Sequence, residues 1–226
     1  MRYLVIEGLM GAGKTTLCRL LAETWGARLV LEPADTNPFL ASYYSDPVRY
    51  ALPAQLFYLV TRWRQQNEIA QGDLFSDVVV ADYLFAKDRL FAEQTLPPLE
   101  LELYDRLAGA LGESVPYPDL IVWLDSPTQV LLRRIAERRS PGEDAISARY
   151  VDDLRSRYER LWSKWTGCPI LRLDNRDMDY RSDPVARGAV LDRIEAALSG
   201  KGLESPGSVV DREEQPSLFG PGPNPS

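Results

Sequence analysis

Gly8-Leu9-Met10-Gly11-Ala12-Gly13-Lys14-Thr15 lies between a short apolar run, Tyr3–Ile6, and a helical pattern at about 14–25. It fits the spacing G-x-x-x-x-G-K-[ST], and strand, glycine loop, helix is the order in which that spacing has a mechanism. Glycines let backbone N–H groups close around phosphate oxygens, and the following helix N-terminus adds a favourable dipole. Lys14 is expected to neutralise β/γ-phosphates and the Thr15 hydroxyl to help hold Mg²⁺. The nine residues Gly8 to Thr16 are therefore candidate ATP-binding residues. A glycine-rich turn without ligand would need neither the lysine nor the threonine.

Outward from this loop, apolar runs at Tyr3–Ile6, Arg28–Leu31, Val78–Ala81, Leu120–Leu124 and Ile170–Leu173 alternate with helical patterns. The helices are expected at 14–25, 53–71, 99–112, 127–138, 147–165 and 184–198. Such alternation predicts an α/β fold, a five-stranded parallel sheet flanked by helices, as in P-loop kinases. Strand order does not follow from the pattern. One domain is expected over residues 1–198. Residues 199–226, rich in Gly, Pro, Ser and acid, read as a disordered tail.

Composition removes several chemistries. There is no histidine, which excludes imidazole acid–base catalysis, Ser-His-Asp triads and imidazole metal ligands. Cys18 and Cys168 make neither a disulfide framework nor a metal cluster. The formal net charge of −7 argues against a nucleic-acid surface, which needs a positive field. The apolar start is too short for a signal-peptide core, and no stretch approaches a membrane span. A soluble, cytoplasmic protein is expected.

Ligands of open parallel sheets bind beyond the carboxyl ends of the strands. Glu32 follows the run Arg28–Leu31 and Asp82 follows Val78–Ala81, so both are expected on the loop's edge. A hydroxyl acceptor needs a carboxylate to orient it and take its proton, and a second acid can support Mg²⁺. Asp125, before Ser-Pro-Thr, reads better as a helix cap.

In Pro53–Arg64, Gln55 and Arg62 are seven apart and share a helix face. A planar heterocycle beside that face would give them partners, and so would solvent at the polar edge of an amphipathic helix. Arg133, Arg134, Arg138 and Arg139 end the candidate helix that follows the fourth strand, before a Ser140-Pro-Gly-Glu-Asp loop. Cations suit a helix C-terminus in any case, but beside a phosphate loop they also make an arginine-bearing lid. Arg134 is a candidate ATP contact and Arg138 a candidate catalytic residue.

Taken in order, these motifs resemble the deoxynucleoside kinase family, closest to its bacterial deoxyadenosine/deoxyguanosine kinases. The resemblance spans about Arg2 to Leu198. Leu31-Glu32-Pro33 resembles the family's Glu-Pro element, whose glutamate is the base toward the 5′-hydroxyl. Tyr44 and Glu143 stand where the family holds the sugar 3′-hydroxyl, and Gln55 and Arg62 where it reads the base. Asp88-Arg89-Leu90-Phe91-Ala92 resembles the segment lining the base pocket, with Asp88 polar and Phe91 stacking. Two positions depart from it. Tyr83 follows Asp82 where the family commonly has arginine, and Ser140 stands at a lid-arginine position.

The resemblance implies transfer of the γ-phosphoryl group of ATP·Mg²⁺ to the 5′-hydroxyl of a deoxynucleoside, a purine by preference. Lys14, Glu32 and Arg138 are then catalytic, and Thr15 and Asp82 support the metal. Homodimerisation is common in the family. A thymidylate-type nucleotide kinase, similar at Asp82-Tyr83, and a non-catalytic nucleotide-binding regulator are the rivals. In the tail, Gln215-Pro-Ser-Leu-Phe219 resembles the short peptide that bacterial sliding clamps bind, so a clamp contact is a further expectation.

Overall fold

A computed structural model describes residues 1–32, 36–72, 76–138, 146–176 and 179–200. Pro33, Arg139, Ser140, Glu143 and Gln215–Phe219 lie outside the described residues. The chain divides into two compact units. The first takes in the described residues among 1–30, 75–82 and 117–210, and the second those among 31–74 and 83–116.

In the first unit, strands β1 (Arg2–Gly8), β2 (Arg28–Val30), β3 (Val78–Ala81), β4 (Leu120–Asp125) and β5 (Ile170–Asp174) form one sheet. Their order is β2-β3-β1-β4-β5 and every pairing is parallel. Tyr3 to Ile6 and Leu120 to Leu124 are buried along their whole length, which is why they read as continuous apolar runs instead of alternating ones. The first unit's helices are α1 (Lys14–Trp25), α6 (Thr128–Arg138), α7 (Ala148–Lys164) and α8 (Pro184–Leu198). Trp123 of β4 packs on Tyr158 and Trp162 of α7, with ring centroids 4.8 and 5.4 Å away.

The second unit holds α2 (Leu40–Ser45), α3 (Pro47–Ala70), a 3-10 turn at Phe85–Lys87, α4 (Asp88–Thr95) and α5 (Pro98–Gly112). Its core gathers Ala51, Leu59, Phe85, Ala92, Leu96, Tyr104, Ala108 and Val115.

Several boundaries differ from the sequence expectation. Helix α3 begins at Pro47, not Pro53, because Asp46 caps it by accepting from the Arg49 N–H and Pro47 suits the first turn. Pro53 is carried inside the helix. The short α2 and α4 are too brief to show a clear period and were not expected. Strand β2 stops at Val30, and the Leu31 carbonyl accepts from Gln65 Nε2 at 3.2 Å instead of continuing the ladder. Glu32 therefore follows the strand by two residues. Asp125 closes β4, and its carboxylate takes Arg155 at 2.6 Å and Arg172 at 3.8 Å.

Candidate active site

The phosphate loop is built where β1 ends and α1 begins. Gly11 and Gly13 have φ of +78° and +90°, which side chains with a Cβ rarely adopt. A Cβ on Gly13 would also lie 2.5 Å from the Tyr180 hydroxyl oxygen. Gly8, Leu9 and Ala12 are buried, while Met10, Gly11, Gly13 and Thr16 are partly exposed. Lys14 arches back over the loop, donating from Nζ to the carbonyls of Gly8 at 2.8 Å and Leu9 at 3.3 Å. Thr15 Oγ1 donates to Asp82 Oδ2 at 2.8 Å. A hydroxyl and a carboxylate at the start of α1 suit a hard cation, so the residues fit Mg²⁺.

The loop is fixed from behind by residues that sequence reasoning missed. Tyr180 donates to the Gly13 carbonyl at 3.1 Å, and Asn175 Nδ2 donates to the Ala12 carbonyl. These two bonds anchor the backbone of the loop at Ala12 and Gly13. Burial, opposed by Arg134, pushes the Tyr180 phenol up to about 12. On β1, Glu7 is wholly buried and accepts from the Gly8 N–H at 3.0 Å and from the Tyr158 hydroxyl at 3.0 Å. Asn175 follows the strand that ends at Asp174, but a side chain that bonds a backbone carbonyl leaves no pattern in the sequence.

Arg134 donates from Nη2 to the Asn175 carbonyl at 2.9 Å, tying α6 to the end of β5. Arg133 pairs with Glu137 at 4.0 Å, and Arg138 is exposed at the end of α6.

In the second unit, Arg62 is 4% exposed and forms ion pairs with both Glu32 and Asp88. Burial works most strongly against its charge, yet Glu32, joined by Tyr104 and Tyr83, raises its pKa overall. Its guanidinium lies 5.0 Å over the Tyr58 ring and 5.9 Å over the Tyr83 ring. Tyr83 in turn donates to Gln65 Oε1 at 2.8 Å. Gln55, also buried, donates from Nε2 to Thr95 Oγ1 at 3.2 Å, and Thr95 donates to the Phe91 carbonyl at 2.9 Å.

Glu32, Arg62 and Asp88 are thus one cluster, with Gln55 on the same helix as Arg62. Tyr44 is 62% exposed on α2, and Phe91 is half-buried on α4. Sequence reasoning also missed Lys87, whose Nζ donates to Glu32 Oε2 at 2.8 Å. A lysine placed directly after the apolar run Leu84-Phe85-Ala86 was the available cue.

The deoxynucleoside kinase family model matches residues 4–199. The chain belongs to the deoxynucleoside kinase family. This kinase is 34% identical to a deoxyguanosine kinase of Bacillus subtilis (strain 168) over 158 residues, covering 70% of this chain and 76% of that one. It is 28% identical over 200 residues to the deoxyadenosine/deoxycytidine kinase of the same organism, covering 86% and 92%. The solved structure of deoxyadenosine kinase from M. mycoides with bound dATP superposes on the kinase with a TM-score of 0.72. That match has 20% identity and covers 85% of this chain and 99% of the other, which establishes the P-loop kinase fold. The protein is accordingly a phosphotransferase acting on deoxynucleosides. Among the described residues, no helix is long and apolar enough to cross a membrane.

Proposed function

We propose that this kinase moves the γ-phosphoryl group of ATP to the 5′-hydroxyl of a purine deoxynucleoside, deoxyadenosine or deoxyguanosine, giving the 5′-monophosphate. The observation that carries the reading is the buried Arg62 joined to both Glu32 and Asp88. It supplies a base-reading group and a proton acceptor in one cluster, and buried charges of this kind persist only when paired. The purine preference draws support from the relative that is named a deoxyguanosine kinase.

In this reading Glu32 accepts the 5′-hydroxyl proton, while Gln55, Arg62 and Asp88 read the base and Phe91 stacks on it. Tyr44 and Glu143 hold the sugar. Residues 8–16 bind the phosphates of ATP, with Arg134 as a further contact. Lys14 and Arg138 stabilise charge on the transferred group. Thr15 and Asp82 would hold Mg²⁺, which when bound neutralises charge on the β/γ-phosphates. A nucleotide as acceptor is disfavoured because Arg62 and Lys87 are already matched by carboxylates.

The test is incubation with Mg·ATP and each of the four deoxynucleosides separately, with monophosphates quantified by chromatography. A dominant purine product is expected. No monophosphate from any of them, with ATP still bound, would contradict the reading.

We also propose a cytoplasmic homodimer. Support comes from α5, where Leu99, Leu103 and Leu107 recur every fourth residue and stay exposed. Leu103→Asp with Leu107→Asp is expected to halve the mass seen in sedimentation, and an unchanged mass would argue against that face. A sliding-clamp contact through Gln215–Phe219 is a separate proposal, tested by clamp pull-down with and without residues 213–226.

A further inference from the structure

Lys87 is 3% exposed, and lysines are almost never buried to this extent without a partner. It sits in the 3-10 turn before α4, with Nζ 2.8 Å from Glu32 Oε2 and 5.8 Å from the centre of the Tyr83 ring. The side chain of Glu32 is 23% exposed, against 4% for Lys87 and 5% for Arg62. The carboxylate is therefore the outward member of the cluster, and the two cations lie behind it.

Charge counting gives Lys87 its meaning. Arg62 is claimed by both Glu32 and Asp88. One cation between two carboxylates leaves a negative charge uncompensated, which favours protonation within the pair, and the acid that Lys87 itself holds ionised is Glu32. With Lys87 the cluster holds two cations and two anions. Among the described residues, the groups facing Glu32 within this unit include Arg62 and Tyr58 from α3 and Lys87 from the turn. Asp88 of α4 and Tyr104 of α5 act on it by way of Arg62, and the Tyr83 ring flanks both cations. Burial raises the Tyr58 phenol, so it stays neutral.

We infer that Lys87 is a positioning residue for phosphoryl transfer: its ammonium fixes one oxygen of Glu32 and keeps the carboxylate ionised at neutral pH. This rests on Glu32 acting as the base, as proposed above. Two cations weaken Glu32 as a base. A loose phosphoryl-transfer transition state asks chiefly for an aligned carboxylate, which Lys87 provides.

The experiment is the pH profile of kcat/KM for the deoxynucleoside in wild type, Lys87→Met, Lys87→Arg and Glu32→Gln. Removing the cation raises the Glu32 pKa, so the acid limb in Lys87→Met should move up by about one pH unit or more. The added loss then approaches about tenfold only below the wild-type limb, and it vanishes well above the shifted one. Lys87→Arg should keep the wild-type limb. A Lys87→Met profile parallel to wild type, whether lowered or not, would overturn the inference. Should that variant not fold, Lys87→Gln keeps a donor without the charge and is read by the same criterion. Glu32→Gln separates the two claims. Full activity there defeats the base reading itself, while an inactive Glu32→Gln beside a Lys87→Met profile parallel to wild type defeats only the role of Lys87.

Discussion

Thr15 of the phosphate loop donates to the carboxylate of Asp82, 67 residues away in sequence, across a hydrogen bond of 2.8 Å. The loop opens α1 and the acid directly follows β3, and the parallel pairing of β1 with β3 sets both at one edge of the sheet. An oxygen pair of this kind is a natural place for Mg²⁺. Asp82→Asn should raise the Mg²⁺ concentration for half-maximal activity by about 10–100-fold, taking the scale of metal-site losses. A metal titration of the variant checks this.

The Gly13 carbonyl receives the Tyr180 hydroxyl while its φ is +90°. Gly13→Ala adds a Cβ at 2.5 Å from that hydroxyl and a strained backbone, which together should cost at least about 1–3 kcal/mol of stability. Tyr180→Phe should be milder. Losing one hydrogen bond of about 1 kcal/mol would raise the KM for ATP several-fold with little change in melting temperature. Thermal melts and ATP saturation curves distinguish the two.

Stability should decline on the alkaline side. Burial pushes Cys168 and Tyr180 up to about 12, and also raises Cys18 and Tyr104. In the unfolded chain thiols and phenols lose protons near pH 8.5 and 10, so there the unfolded state binds fewer protons than the fold. By linkage, stability from these groups is complete below about pH 8.5 and is lost as pH rises toward 12. Calorimetric melts from pH 7 to 11 should show a falling Tm above about pH 9.

The parallel sheet and its phosphate loop were readable because buried parallel strands are apolar without interruption and the G-x-x-x-x-G-K-T spacing is local. Strand order was not, since nothing in Val78–Ala81 specifies that it pairs with β1. Gln55 and Arg62 were visible as polar residues sharing a helix face. Their partners were only partly so, because Asp88 and Lys87 enter the cluster through a short turn and α4, elements with too few residues to carry a period. Asn175 and Tyr180 were hidden for another reason. They act on loop carbonyls, and a side chain that bonds backbone leaves no pattern at the other end.

The most direct test of the account is Glu32→Gln, assayed for deoxynucleoside monophosphate formation alongside ATP binding. The substitution keeps shape and removes the proton acceptor, so turnover should fall by at least about 10²–10⁴-fold with ATP affinity nearly unchanged. Turnover within a few-fold of wild type would contradict Glu32 as the base and, with it, the central reading of the cluster around Arg62.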